Sequence, residues 1–283
     1  MRYLGKEFAF KVAKRACLFF PDYFEEKLKN PVFVLGFNNS GKSTAVSHLR
    51  RVNALCVYPG EGNGELWFRG HYPWSSSAVS VPPIWAAPDE FICSVKDACR
   101  DSFRLSRAQL GAYQWLASGS NLLNDSGMLA ALAPDIMNDF PDAKFVHFVR
   151  DGRLASYITA RLEWSRIIRS PGKYIEYDCP LRFSDVLRKM AEYWVWTMRR
   201  MDEVSSSMPG SVLEVRYEDW WSDPEPMIDS VARFIGVSPP EESKRYVPKT
   251  DLTQHLLTEM PNDELAMLED IVGPTMRDKG YSR

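Results

Sequence analysis

The chain lacks most of the features that would place it in a special class. No apolar run is long enough to span a bilayer. The five cysteines, Cys17, Cys56, Cys93, Cys99 and Cys179, are odd in number and no two stand in a C-x-x-C spacing. Neither a disulfide framework nor a zinc site is expected, and reduced thiols in a cytoplasmic protein are the reading that remains. With a formal net charge of −2 there is no global basic field to attract nucleic acid. Internal repeats and low-complexity tails are also absent. An anionic ligand would therefore have to be met by a local concentration of donors.

What is present is an ordinary globular composition. The 283 residues are 45% apolar and 25% charged, enough for one large α/β domain with insertions. The opening MRYLGKEFAFKVAKRACLFF sets Arg2, Lys6, Lys11, Lys14 and Arg15 among Phe8, Phe10, Val12, Leu18 and Phe19. Charges recur through it, and it has neither the unbroken apolar stretch nor the cleavage site of a signal peptide. Such a segment either packs on its own domain or makes peripheral contact with an anionic membrane through residues 1–20.

Short β-rich runs alternate with longer helical ones, which predicts a parallel sheet flanked by helices. The expected strands are Val32–Gly36, Leu55–Tyr58, Asn121–Leu123, Lys144–Val149 and Val212–Val215. The expected helices include Ser43–Arg51, Arg104–Ala117, Met128–Phe140, Arg153–Ile168, Ser184–Val204, Pro224–Ile235 and Asp263–Lys279. Tyr72–Asp89 breaks the pattern with four prolines, three consecutive serines and two tryptophans. It reads as a long ordered loop or lid, and residues 72–103 as an insertion over the acceptor side of a single domain.

The strongest local signal runs from Pro31 through Gly36-Phe37-Asn38-Asn39-Ser40-Gly41-Lys42-Ser43-Thr44. An apolar strand enters a glycine-bounded loop and a helix follows. Glycines let the backbone curl so that successive N–H groups converge, and a helix N-terminus adds unpaired donors. That geometry holds a phosphate or a phosphosulfate, and the spacing satisfies the P-loop pattern. By itself the loop points to a nucleotide kinase or another NTPase.

Three further segments, in order, resemble the sulfotransferases that use 3′-phosphoadenosine 5′-phosphosulfate (PAPS), whose fold is related to that of nucleotide kinases. Phe140–Arg153 is similar to the family's strand ending in Arg-Asp-x-Arg. Leu213–Asp219, with Asp223-Pro-Glu and Phe234-Ile-Gly-Val, resembles its "RYEDL…DPE…FLG" segment. Pro261–Leu265, Gly273-Pro and Gly280-Tyr281 resemble the closing helix of many bacterial members. The resemblance implies a three-layer, P-loop-like α/β fold with a Pro/Ser/Trp-rich lid insertion. It implies sulfuryl transfer from PAPS, without a metal, to a small-molecule, glycan or lipid acceptor. The loop Gly36–Thr44 would hold the 5′-phosphosulfate, Arg150 would take the 3′-phosphate, and Tyr217 would lie beside the adenine.

The chain departs from the family pattern at four places. Asn39 stands where the loop usually has Lys or Arg, and Lys42 where it has Thr. Ile158 replaces the usual serine, so Ser156 or Thr159 is the substitute. Asp125 occupies a position near which the family often has a Lys-Ser/Thr pair. The glycine-rich phosphate segment has no clear counterpart, Lys249-Thr250 being the nearest candidate. The expected catalytic pair is Lys42, meeting charge on the transferred group, and Glu61, accepting the acceptor's proton from a glycine-flanked loop after the second strand. Glu65 and His71 are the reserve bases. Two rival readings stay open. An ATP-dependent kinase would use Lys42, Asp151 and the lid-like Arg161, Arg166 and Arg169; a binding relative would have lost the chemistry. Trp67, Phe68, Tyr72, Trp74 and Trp85 are the aromatic faces available for an acceptor or for lid packing.

Overall fold

A computed structural model describes residues 2–52, 55–58, 82–99, 102–118, 120–125, 129–175, 179, 182–239 and 253–281. Its centre is a five-stranded sheet of β1 (Pro31–Gly36), β2 (Leu55–Val57), β3 (Asn121–Asn124), β4 (Lys144–Val149) and β5 (Val212–Arg216). The spatial order is β2-β3-β1-β4-β5 and every pairing is parallel. All five strands stand where the apolar runs predict them.

Helices enclose both faces. They are α1 (Arg2–Phe19), α2 (Pro21–Glu25), α3 (Lys42–Leu49), α4 (Pro88–Cys99), α5 (Ser102–Leu116), α6 (Leu129–Asp139), α7 (Gly152–Arg169), α8 (Gly172–Ile175), α9 (Phe183–Ser207), α10 (Tyr217–Ser222), α11 (Pro224–Ile235), α12 (Leu256–Glu259) and α13 (Asn262–Asp278). Alternation along β1 explains the three layers. Val32 and Val34 face a core shared with Val46 and Leu49 of α3 and Val231 and Ile235 of α11. Phe33 and Leu35 face the opposite core, with Leu110 of α5, Ile136 of α6 and Trp194 of α9. A strand buried on both faces reads as an unbroken apolar run, which is what Val32–Leu35 is.

The described part of the expected lid is loop and turn only as far as residue 87. Ile84 and Trp85 are buried in the larger core, Trp85 at 5% exposure, so Trp85 offers no flat face to an acceptor. From Pro88 the chain is helical, with Pro at its first position and Asp89 and Glu90 in its first turn. A proline there loses no hydrogen bond, and the acids complement the helix dipole. Proline count hid this helix by drawing attention to the turn before it. Residues 72–81 lie outside the described region.

Helix α1 packs on α5 with Ala13 and Cys17 fully buried, and α2 packs on α5 as well. The α2–α5 approach is close. A Cβ at Gly111 would stand 1.9 Å from the backbone oxygen of Phe24. We expect Gly111→Ala to push α2 away and to cost about 1–3 kcal/mol, the usual range for overpacking. A lowered urea midpoint at unchanged slope would be the measurement.

Candidate donor-binding site

The carboxyl ends of β1, β4 and β5 bring the candidate residues together, where open α/β sheets place their ligands. Gly36 ends β1 at φ 145°, and a Cβ there would lie 2.5 Å from the Phe148 carbonyl oxygen of β4. Gly41 sits at φ 88° as the N-cap of α3 and provides no side-chain cap. The first-turn N–H groups of α3 are thereby left for a ligand, at the positive end of the helix dipole. Asn38 and Asn39 are exposed, Asn39 in the left-handed region at φ 61°. Ser40 is buried, and its Oγ has no hydrogen-bond partner among the described residues.

Arg150 follows β4 directly and is 4% exposed. Its Nη1 donates to the Asn39 carbonyl at 2.9 Å, and its Nη2 to the hydroxyl of Thr253. The guanidinium lies 4.0 Å from the ring centroid of Tyr217, the first residue of α10. The loop itself also borders that ring, since a Cβ on Gly41 would meet Tyr217 at 2.5 Å. Trp221 stacks on Tyr217 at 5.5 Å and 21°. Arg150, Tyr217 and Gly36–Lys42 therefore form one cluster, although 67 residues separate the arginine from the tyrosine. Of the two candidates for the missing serine, Thr159 is the one in contact. Its Oγ1 accepts from Asn39 Nδ2 at 2.8 Å, whereas the Ser156 Oγ is buried with no hydrogen-bond partner among the described residues.

Lys42 curls back over the loop, its Nζ donating to the carbonyls of Gly36 at 2.5 Å and Phe37 at 3.4 Å. Burial lowers its pKa to about 8, opposed by the charge of Asp125. Asp125 itself follows β3, the strand beside β1, and its Oδ1 is buried with no hydrogen-bond partner among the described residues. Burial raises its pKa against the pull of Lys42 and Arg50.

Asp151 is committed to the scaffold. Its carboxylate caps α7 through the N–H groups of Arg153 and Leu154 and pairs with the Arg153 guanidinium at 2.7 Å. A kinase role for it is unsupported. Sequence reasoning missed a second clamp: Glu218 accepts from the Asp151 N–H at 3.1 Å and from the Tyr281 hydroxyl at 2.7 Å. The Glu of Tyr217-Glu-Asp and the Tyr of Gly280-Tyr281 were visible as motif letters, but nothing local tied one to the other. Glu61, Glu65, His71, Ser126, Lys249, Thr250 and the aromatic residues Trp67, Phe68, Tyr72 and Trp74 lie outside the described residues.

The model of a family described as "Sulfotransferase family" matches residues 87–241, more than half of the chain. The chain belongs to the sulfotransferase family. The match contains Arg150 and Tyr217 and begins after the Gly36–Thr44 loop. Among solved structures the chain is similar to sulfotransferase STF9 from Mycobacterium avium, at 13% identity and TM-score 0.55 over 89% of this chain and 77% of that one. It is also similar to STF1 from Mycobacterium tuberculosis H37Rv, at 13% identity and TM-score 0.54 over 92% and 80%. A sulfotransferase domain from the curacin biosynthetic pathway matches at 13% identity and TM-score 0.54, over 88% of this chain and 98% of that domain. At such identities the likeness is one of fold. No curated protein sequence matches significantly.

A pH test follows for the loop. Lys42 must be an ammonium to hold an anion, and a bound anion raises its pKa again. Affinity for a phosphate ligand, itself fully ionised above about pH 7, should be greatest near pH 7 and fall as pH rises through about 8. Calorimetry across that window should show proton uptake in wild type and none in Lys42→Met.

Proposed function

We propose that the protein transfers the sulfuryl group of PAPS to a hydroxyl of a small-molecule, glycan or lipid acceptor. The observation that carries this reading is Arg150, buried between the face of Tyr217 and the Asn39 carbonyl of the loop. A mononucleotide with a single phosphate chain needs the loop alone. A second, guanidinium-based anion site one strand away suits a nucleotide phosphorylated at both ends of its ribose. The uncapped start of α3, on a loop that Gly36 and Gly41 let pack against β4 and Tyr217, fits the phosphosulfate end.

In the proposed reaction the bond between sulfur and the 5′-phosphate oxygen breaks, and its electron pair leaves on that phosphate. The acceptor oxygen attacks sulfur in line, so the loop's role is to hold donor and acceptor on one axis. Backbone N–H groups of Ser40–Thr44 and the Lys42 ammonium would meet the charge that grows on the leaving oxygen. Sulfuryl groups carry less charge than phosphoryl groups, so these donors suffice without a metal. Glu61 is the proposed proton acceptor, with Glu65 and His71 as alternatives.

One observation favours a second reading. Asp125 directly follows the strand next to β1 and lies within electrostatic reach of the P-loop lysine, the place from which P-loop NTPases help hold magnesium. Magnesium-dependent phosphoryl transfer from ATP would use it so. Under the sulfotransferase reading Asp125 instead opposes the donor's negative charge.

The two separate by calorimetry with 3′-phosphoadenosine 5′-phosphate (PAP) and with ATP. PAP should bind at micromolar concentration without magnesium and ATP much more weakly. Arg150→Ala should cost PAP about 1.5–3 kcal/mol, the range for charged hydrogen bonds, and leave ligands lacking a 3′-phosphate nearly unaffected. Asp125→Asn should tighten PAP. Magnesium-ATP binding that equals or exceeds PAP binding, and that Asp125→Asn abolishes, would establish the kinase instead.

Glu61→Gln should lower turnover on an alcohol acceptor by ~10²–10⁴, the usual loss for a general base, with PAP affinity unchanged. Phenolic acceptors, which ionise more easily, should suffer less. Near-normal turnover on an alcohol would move the role to Glu65 or His71.

A further inference from the structure

Helix α1 has the wrong outer face for a helix in water. Its inner face is built from small residues, Ala13 and Cys17, both fully buried on the domain. The outer face would be polar in a water-facing amphipathic helix. Here Phe8, Lys11, Arg15, Leu18 and Phe19 recur at steps of three and four residues on the solvent side. Phe8, Leu18 and Phe19 are 68%, 56% and 76% exposed. The apolar surface continues past the helix through Phe20, Tyr23 and Trp115, at 64%, 47% and 52%. Tyr23 and Trp115 meet edge to face at 6.4 Å, and Lys27 sits 4.4 Å over the Tyr23 ring. Six of the nine exposed large hydrophobics among the described residues belong to this one surface.

Its charge is as distinctive as its apolarity. The first 19 residues carry five cations against the single acid Glu7, in a chain whose net charge is −2. The acids beside the patch are partly neutralised: Asp22 and Glu25 of α2 both pair with Arg104, while Glu26, just past the helix, is exposed. Large aromatic side chains set among lysines and arginines match an anionic lipid surface, where rings enter the headgroup region and cations meet phosphates. No helix among the described residues is long and apolar enough to cross a membrane, so contact would be peripheral.

We propose that the α1–α2 surface, with Trp115, docks the protein onto an anionic lipid bilayer. The domain already supplies what a free amphipathic peptide lacks. Ala13 and Cys17 anchor α1 before any lipid is met, so its outer side chains are presented without the cost of folding on the membrane. The surface is built from α1, α2 and Trp115 and contains no residue of the Gly36–Thr44 loop. The inference does not depend on which donor the loop binds.

Co-sedimentation of the full chain with vesicles tests it. Vesicles of phosphatidylcholine containing about 30 mol% phosphatidylglycerol should pellet the protein. Pure phosphatidylcholine should pellet much less, and about 0.5 M salt should release most of it. Phe19→Ser with Phe20→Ser should weaken partitioning about tenfold or more, the worth of large apolar side chains withdrawn from burial. Lys11→Glu with Arg15→Glu should remove the preference for anionic vesicles. All four positions are solvent-exposed, and matching circular dichroism and melting curves identify folded variants; each double variant tests the proposal without the other. Wild-type protein that stays in the supernatant with anionic vesicles overturns the proposal, as does a folded Phe19→Ser, Phe20→Ser variant that pellets like wild type. Light scattering that shows a dimer dissolved by that variant, without vesicle binding, assigns the surface to a second copy of the chain and overturns it equally.

Discussion

Two glycines have no room for a side chain, and the site depends on that fact. The Phe148 carbonyl fills the space beside Gly36, and the Tyr217 ring fills the space beside Gly41. The loop is thereby pressed against the ends of β4 and β5, strands that arrive more than a hundred residues later in the chain. Once the loop is held there, Arg150 can reach the Asn39 carbonyl and lie across Tyr217. Positive φ at both positions adds a backbone reason for glycine to the steric one. A methyl group at either place would separate the loop from the arginine and tyrosine that complete the cluster.

Around that contact polar clamps add to the apolar burial of the closing helix, whose Leu268 and Val272 lie in the larger core. Asp151 caps α7 and holds Arg153, which also reaches Glu269 of α13 at 3.2 Å. Glu218 joins the Asp151 backbone to Tyr281, and Arg216 lies over the Tyr281 ring at 4.3 Å. Lys279 bridges Asp202 of α9 and Glu214 of β5 at 2.6 and 2.7 Å. The closing helix is thus tied to the strand ends that carry Arg150 and Tyr217. A rigid frame matters because an anion site loses most of its value when its donors must be ordered by the ligand.

The electrostatics are local and balanced within a few residues. A protein of net charge −2 gathers Lys42, Arg150 and an uncapped helix start at one point, then sets Asp125 against them. Burial lowers the lysine's pKa and raises the aspartate's, so both sit nearer neutrality than they would in water. A bound anion would restore the charge on Lys42 and further oppose it on Asp125. The site is therefore sensitive to the charge of what enters it, more than to its shape alone.

Much of this was legible in the chain itself. Short apolar-rich runs of three to six residues predicted all five strands, most plainly β1, which is buried along its whole length and so reads as unbroken apolar sequence. The Gly-bounded loop and the strand-end Arg150 marked a candidate anion site, because converging N–H groups and a guanidinium need those residue types at those positions. Asp125 was visible only as a departure, and Asp151, which the sequence offered only to the rival kinase reading, caps α7, a role that only its neighbours reveal. Helix α4 was hidden behind prolines whose effect ends at the first helical turn. The choice of Thr159 over Ser156 as the loop's contact, the Glu218–Tyr281 clamp and the seat of Tyr217 on Gly41 are contacts between segments far apart in sequence. Local propensity carries no information about such distances. Only the packing of helices against the sheet decided them, and the same packing decided that Ala13 and Cys17 of α1 turn inward and leave Phe8 and Phe19 in solvent.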